Sequence, residues 1–170
     1  MENFADLYSD YLISSSSYAT STGMANLLSI KHDKITRELS NGDYDSKFLW
    51  KQSKVYVKEL TQSKELITLS FDDSIEEKRY TDESELHCWH FDHTFGKSVR
   101  GVNFLTALIE VGTMRLPCAV EFVKKDLWKK DPKTGKEKRK SSVSKNELFR
   151  KMLRECNGKF RFDYVLADSW

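Results

Sequence analysis

The period of the apolar residues changes once, near residue 65, and that change divides the chain into a helical part and a strand-rich part. Before it, Phe4, Leu7, Tyr8, Tyr11 and Leu12 recur at three- and four-residue spacing, as on one face of a helix. After a run of serines, Thr20-Ser21-Thr22 forms an N-cap cluster, and Met24, Leu27 and Leu28 give a short apolar face. A turn near Ser29-Ile30 leads into 31–39, with Ile35 and Leu39 inward and Lys31, His32, Lys34, Thr36 and Arg37 outward. Two short helices with a tight joint, the second polar and basic, make a helix-turn-helix pattern. Its outward Lys31, His32, Lys34 and Arg37 are candidate DNA contacts. Two packed helices with a solvated basic face would give the same pattern. Asn41-Gly42-Asp43 then reads as a turn.

After the change, Leu66-Ile67-Thr68-Leu69-Ser70-Phe71 is a short apolar strand that ends at Asp72-Asp73. Residues 99–111 predict a longer strand, Gly112-Thr113 a turn, and 114–123 its hairpin partner. Asp131-Pro132-Lys133-Thr134-Gly135 predicts a loop. Ser144 and Glu147 form a capping box, and Leu148, Phe149, Met152, Leu153 and Cys156 follow on one helical face, stopped by Gly158. A last strand runs from Phe162 to Ala167 and ends at Asp168. The expected fold is α/β: a helical region over 1–62, then over 63–170 a partial ribonuclease-H-like core of strand, strand, strand, helix, strand. A right-handed crossover returns the last strand parallel to the first and beside it.

Charge is unevenly spread although the net value is only +2. Residues 124–145 hold ten Lys or Arg against three acids, and 72–85 hold seven acids against Lys78 and Arg79. A basic strip near an acidic pocket suits an enzyme that grips phosphates and holds cations at the reaction point, although solvated loops would look alike. Within the strip, Lys129, Lys130, Lys138, Arg139 and Lys140 are candidate DNA-backbone contacts on a flexible insertion. The 39% hydrophobic content is that of a chain with a core, and no apolar run approaches the ~18 residues of a membrane span. Cys88, Cys118 and Cys156 are odd in number and widely spaced, against a disulfide framework. These features predict a soluble cytoplasmic protein with no membrane partner.

The two strand-end acids share a chemical rationale. Ligands of open α/β sheets lie beyond the carboxyl ends of parallel strands, and the expected topology brings Asp72 and Asp168 to one such edge. Like charges that close need a cation between them. Hard oxygen donors favour Mg²⁺ or Mn²⁺, and a pair of such ions serves phosphodiester cleavage. Asp73 is an additional candidate ligand. Either Asp alone would read as a strand cap.

Leu69-Ser70-Phe71-Asp72-Asp73-Ser74, with Lys78 shortly after, resembles the first-acid motif of insertion-sequence DDE transposases, the group numbered family four and its relatives. Val165-Leu166-Ala167-Asp168-Ser169-Trp170 resembles their second-acid motif. Trp89-His90-Phe91-Asp92-His93, followed by Lys97 to Asn103, looks like the segment leading into their second strand. The resemblance spans residues 20–170 in outline. It implies a metal-dependent endonuclease and strand-transferase acting on double-stranded DNA at insertion-sequence ends, working as a homodimer at the nucleoid of a prokaryote. Asp72 and Asp168 are then the first two acids of the catalytic triad. The third, a glutamate in a Tyr, Arg, Glu, Lys pattern, is expected beyond Trp170, so the fragment alone is expected to be inactive.

Three alternatives compete with that expectation. The first is a non-catalytic DNA-binding protein derived from a truncated transposase gene. The second is another ribonuclease-H-like nuclease, such as a junction resolvase, which the helix-turn-helix pattern disfavours. The third is a zinc site over His87, Cys88, His90, Asp92 and His93, which lacks the second ligand cluster that closed zinc sites use. Trp89, Phe91, Phe95 and Phe104 are candidates to stack bases, with core packing as the ordinary role for such residues. The missing Gly-rich phosphate loop speaks against a nucleotide-driven motor.

Overall fold

The computed structural model describes residues 4–16, 18–132 and 134–168. Lys133 of the basic strip and Ser169-Trp170 of the second acidic motif lie outside them. The chain divides into two units, Met1–Asp43 and Tyr44–Trp170.

The first unit holds helices α1 (Phe4–Ser14), α2 (Ser21–Leu28) and α3 (His32–Asn41). Tyr11, Met24, Ala25 and Ile35 are buried at its centre, with Phe4, Leu7, Tyr8, Leu28, Ile30 and Leu39 packed around them. Thr20 caps α2 by accepting from the Gly23 amide at 2.9 Å. The Tyr11 hydroxyl donates to the Thr20 carbonyl and accepts from the Thr20 amide, each at 3.1 Å. Gly23 permits that approach, because a Cβ there would meet the Tyr11 hydroxyl at 2.5 Å. Ser29 ends α2 in the left-handed region, φ 53°, and Ile30 donates to the Ala25 carbonyl, the tight joint expected between α2 and α3. Leu27, expected inward, is 67% exposed; Ala25, one residue after Met24, takes its place in the core.

In the second unit, α4 (Ser46–Leu60) precedes a mixed sheet of β1 (Ile67–Glu77), β2 (His87–Asp92), β3 (Lys97–Val111), β4 (Met114–Phe122) and β7 (Tyr164–Ala167). A separate ribbon pairs β5 (Leu127–Lys130) with β6 (Glu137–Lys140), and α5 (Lys145–Asn157) connects it to β7. The unit boundary lies earlier than the change of apolar period at residue 65. The reason is packing: Trp50, Val57 and Leu60 of α4 join the sheet's core rather than the first three helices.

β3 is the spine. It pairs antiparallel with β1 along one edge and with β2 and then β4 along the other. β7 returns parallel to β1, as expected for a crossover through α5. Asp163 pins that return, its amide donating to the Ile67 carbonyl at 2.8 Å and its carboxylate accepting from the Ile67 amide at 2.9 Å. Alternation along β1 and β3 gives the core face: Ile67, Leu69 and Phe71 meet Leu105, Ala107, Ile109 and Val111, beneath Met152 and Cys156 of α5 and Val57 of α4. Where β1 and β3 cross near their ends, Gly101 is required, since a Cβ there would lie 2.2 Å from the Glu76 carbonyl oxygen.

Three expectations change. β1 does not stop at Asp72 but continues to Glu77, because Asp72 to Glu77 keep pairing with Thr106 to Gly101. The 87–92 segment is a full strand, not a lead-in. On either side of the expected Asp131-to-Gly135 loop, the basic strip pairs as a two-stranded ribbon of Leu127–Lys130 with Glu137–Lys140. Among the described residues no helix is long and apolar enough to cross a membrane.

Candidate functional site

The register between β1 and β7 pairs Thr68 with Tyr164, Leu69 with Val165, Ser70 with Leu166 and Phe71 with Ala167. Continued by one residue it brings Asp72 opposite Asp168. In-register residues of parallel strands project from the same face, so both belong to the face away from Phe71 and the helices. Both are exposed. Asp72 accepts a hydrogen bond of 2.9 Å from the Ser74 hydroxyl, two residues along the same face.

Asp73 projects the other way. The pleat sends it toward the start of α5, where Lys145 forms an ion pair with one oxygen and Asn103 Nδ2 donates to the other at 2.6 Å. Its carboxylate therefore ties α5 to the sheet and is turned away from the Asp72 face. Asn103 is fully buried and also donates to the Ser74 carbonyl, while its Oδ1 has no hydrogen-bond partner within the protein. Among the described residues no group of three or more His, Cys, Asp or Glu is arranged to hold a metal ion.

The His- and Cys-rich segment separates in the same way. Strand alternation puts Cys88 and His90 on one side of β2 and His87, Trp89 and Phe91 on the other. His87 is buried, with its ring nitrogens 2.9 Å from the Asp82 carbonyl and 2.7 Å from the Lys78 carbonyl. His90 Nε2 lies 3.3 Å from Cys88 Sγ. Burial, then the neighbouring positive charges of Lys125 and Lys145, lowers the His90 pKa to about 4, and burial raises that of the Cys88 thiol. A neutral imidazole beside a protonated thiol is a packed pair, not half of a zinc site.

The candidate DNA contacts fall on two elements. Lys31, His32, Lys34 and Arg37 are all exposed, at the cap and on the outer side of α3, around the buried Ile35. His32 Nδ1 lies 3.6 Å from the Asp33 carboxylate. Lys129, Lys130, Lys138 and Lys140 are exposed on the ribbon. Lys138 pairs with Asp131 at 2.7 Å. Arg139 is half-buried, bridged to Glu83 at 3.0 Å and laid over the Trp128 ring at 4.4 Å. The ribbon is thereby tied through Glu83 to the segment between β1 and β2.

Two features escape a reading of the sequence. Lys145 and Asn103 are bound to Asp73 across long sequence separations, and no local pattern announces them. The ribbon is signalled only by Trp128 and Arg139, each three residues outside the Asp131-to-Lys136 backbone hydrogen bond. No family model matches this chain, and no curated protein or solved structure compared with it matches either.

Proposed function

We propose that the chain carries part of the catalytic core of a DDE-type DNA transposase, a ribonuclease-H-like fold in which Asp72 and Asp168 are two metal-binding acids. The observation that carries the reading is the parallel register that ends at Phe71 and Ala167, the residues just before Asp72 and Asp168. Two exposed carboxylates side by side repel each other, and a divalent cation relieves that repulsion. Their oxygens suit Mg²⁺ or Mn²⁺. Bound there, such ions supply activation of an attacking oxygen and stabilisation of a leaving one in phosphodiester cleavage. The Ser74 hydroxyl holds Asp72 in position for that role. The reading calls for a further carboxylate beyond these two, a glutamate by resemblance. The exposed basic side of α3 and the lysines of the ribbon support duplex DNA as the substrate.

The test is Mn²⁺ binding followed by electron paramagnetic resonance, with DNA nicking assayed in parallel. Asp72→Asn and Asp168→Asn should each weaken binding of the ion at least ten-fold, and Asp73→Asn should not. Ion binding that is indifferent to both Asp72 and Asp168 would remove the proposal. A second reading, a DNA-binding protein without catalysis, is favoured by the exposed Lys31, His32, Lys34 and Arg37. Salt-dependent duplex binding with no nicking, unchanged in Asp72→Ala and Asp168→Ala, would select it.

A further inference from the structure

A hollow of about 670 Å³ opens between β2 and the β5–β6 ribbon. Three aromatic side chains line it, and each is more than half exposed: Trp89 at 55%, Phe91 at 52% and Trp128 at 57%. Their exposure follows from register. β2 turns Cys88 and His90 inward, so Trp89 and Phe91 must stand on the outer side, about 6.7 Å apart along the strand. Trp128 faces the hollow from the ribbon and is fixed there by Arg139, itself held by Glu83.

The polar lining holds Lys125, Lys138 and Arg139 against Glu83 and Glu137, with Arg139 paired to Glu83 and Lys138 to Asp131. Lys125 Nζ donates to the Trp89 backbone carbonyl, which brings a cation to the strand that carries Trp89 and Phe91. Lys130 is exposed two residues from Trp128, on the same side of β5. Aromatic faces interleaved with cations match a nucleotide, which has a π-face to stack and a phosphate to neutralise. A neutral sugar would use the rings and leave the cations idle. Bases inside a duplex are already stacked and paired, so only an unpaired one has a face to offer.

We propose that this hollow is a stacking cleft for unpaired nucleotides of a single-stranded nucleic acid, with Trp89, Phe91 and Trp128 against the bases and Lys125 and Lys130 against the flanking phosphates. Phe91 also borders the hollow that holds Asp72 and Ser74, but stacking in the cleft does not depend on the role of those acids.

The experiment is fluorescence anisotropy of a labelled twelve-nucleotide oligothymidylate, and of the same strand in duplex with its complement, at low salt. The full chain should bind the single strand. Trp89→Ala and Trp128→Ala should each lower that affinity on the order of ten-fold and leave duplex affinity within two-fold. Both positions are exposed, and unchanged thermal melting by circular dichroism confirms that the variants fold. Phe91→Ala gives a third, independent reading of the same cleft. Four results would each overturn the assignment: no binding of the single strand, full affinity in all three variants, an equal loss for duplex, or thymidine monophosphate or an acidic peptide competing as well as the oligonucleotide. Loss of Mn²⁺ binding in Asp72→Asn leaves the prediction standing, so the two proposals fail separately.

Discussion

His90 lies 3.3 Å from Cys88 and keeps its imidazole neutral well into the acid range, with a pKa of about 4 against an ordinary 6.5. In the unfolded chain the ring takes up a proton near pH 6.5, whereas the folded protein refuses it until about pH 4. Stability contributed by the neutral ring is therefore present above pH 6.5 and falls as the pH drops through that window. The full loss is on the order of 3 kcal/mol. His90→Gln has no proton to gain, so its urea-unfolding free energy should change less between pH 7 and pH 4.5 than that of the parent. Asp73 gives a second residue-scale expectation. Asp73→Ala leaves Lys145 unpaired and deprives buried Asn103 of one acceptor, which should cost about 1 to 3 kcal/mol in the same assay. Adjacent acids with one sequence signature thus do different things. The position of Asp72 one residue past the β1–β7 pairing follows from the apolar run that leads up to it. The role of Asp73 does not, because it depends on the pleat and on Lys145, far along the chain.

Ser144 and Ser29 set the limits of two helices by different physics. The Ser144 hydroxyl accepts from the Glu147 amide, and the Glu147 carboxylate accepts from the Ser144 amide at 2.8 Å, the capping box that opens α5. That bonding holds the Glu147 carboxyl below the usual carboxylate range. Ser144→Ala should lower the melting stability of the sheet unit by about 1 kcal/mol. Ser29 occupies a left-handed conformation that a side chain disfavours, so Ser29→Gly should stabilise the helical unit by about 0.5 to 1 kcal/mol. Caps and turns of this kind are local, and the sequence announced most of them. The β2 strand was less legible because its burial runs against hydropathy, with His and Cys inside and Trp and Phe outside. Alternation still holds there; what changes is which face the rest of the molecule covers. In the ribbon, pairing of Trp128 with Arg139 makes a strand from residues that composition assigns to a solvated loop.

At the scale of the molecule, the change of period announces β1, β3, β4, α5 and β7 in order, but not β2, the ribbon or the division into units. The apolar face of α4 looks like that of the helices before it, and only the core that it joins reveals its side. Every residue of that core lies within 44–170, so a chain starting at Tyr44 should keep the sheet folded, seen as retained far-UV circular dichroism and slow amide exchange in β1 and β3. DNA binding also belongs to this scale, because phosphate neutralisation sums over the surface. Lys34→Ala with Arg37→Ala should weaken duplex binding and flatten its log–log salt dependence by about 0.9 for each phosphate no longer neutralised.

The return strand β7 has a further consequence. It lies at the end of the sheet, paired only with β1 among the described residues, and Tyr164, Val165 and Leu166 are all substantially exposed. An unpaired backbone edge bearing apolar side chains is a template for another extended chain. Concentrated preparations should therefore associate by adding strands there, a colloidal liability beside the very carboxylates the strand delivers. A lysine at position 165 (Val165→Lys) should suppress that association in light scattering without moving the melting temperature appreciably.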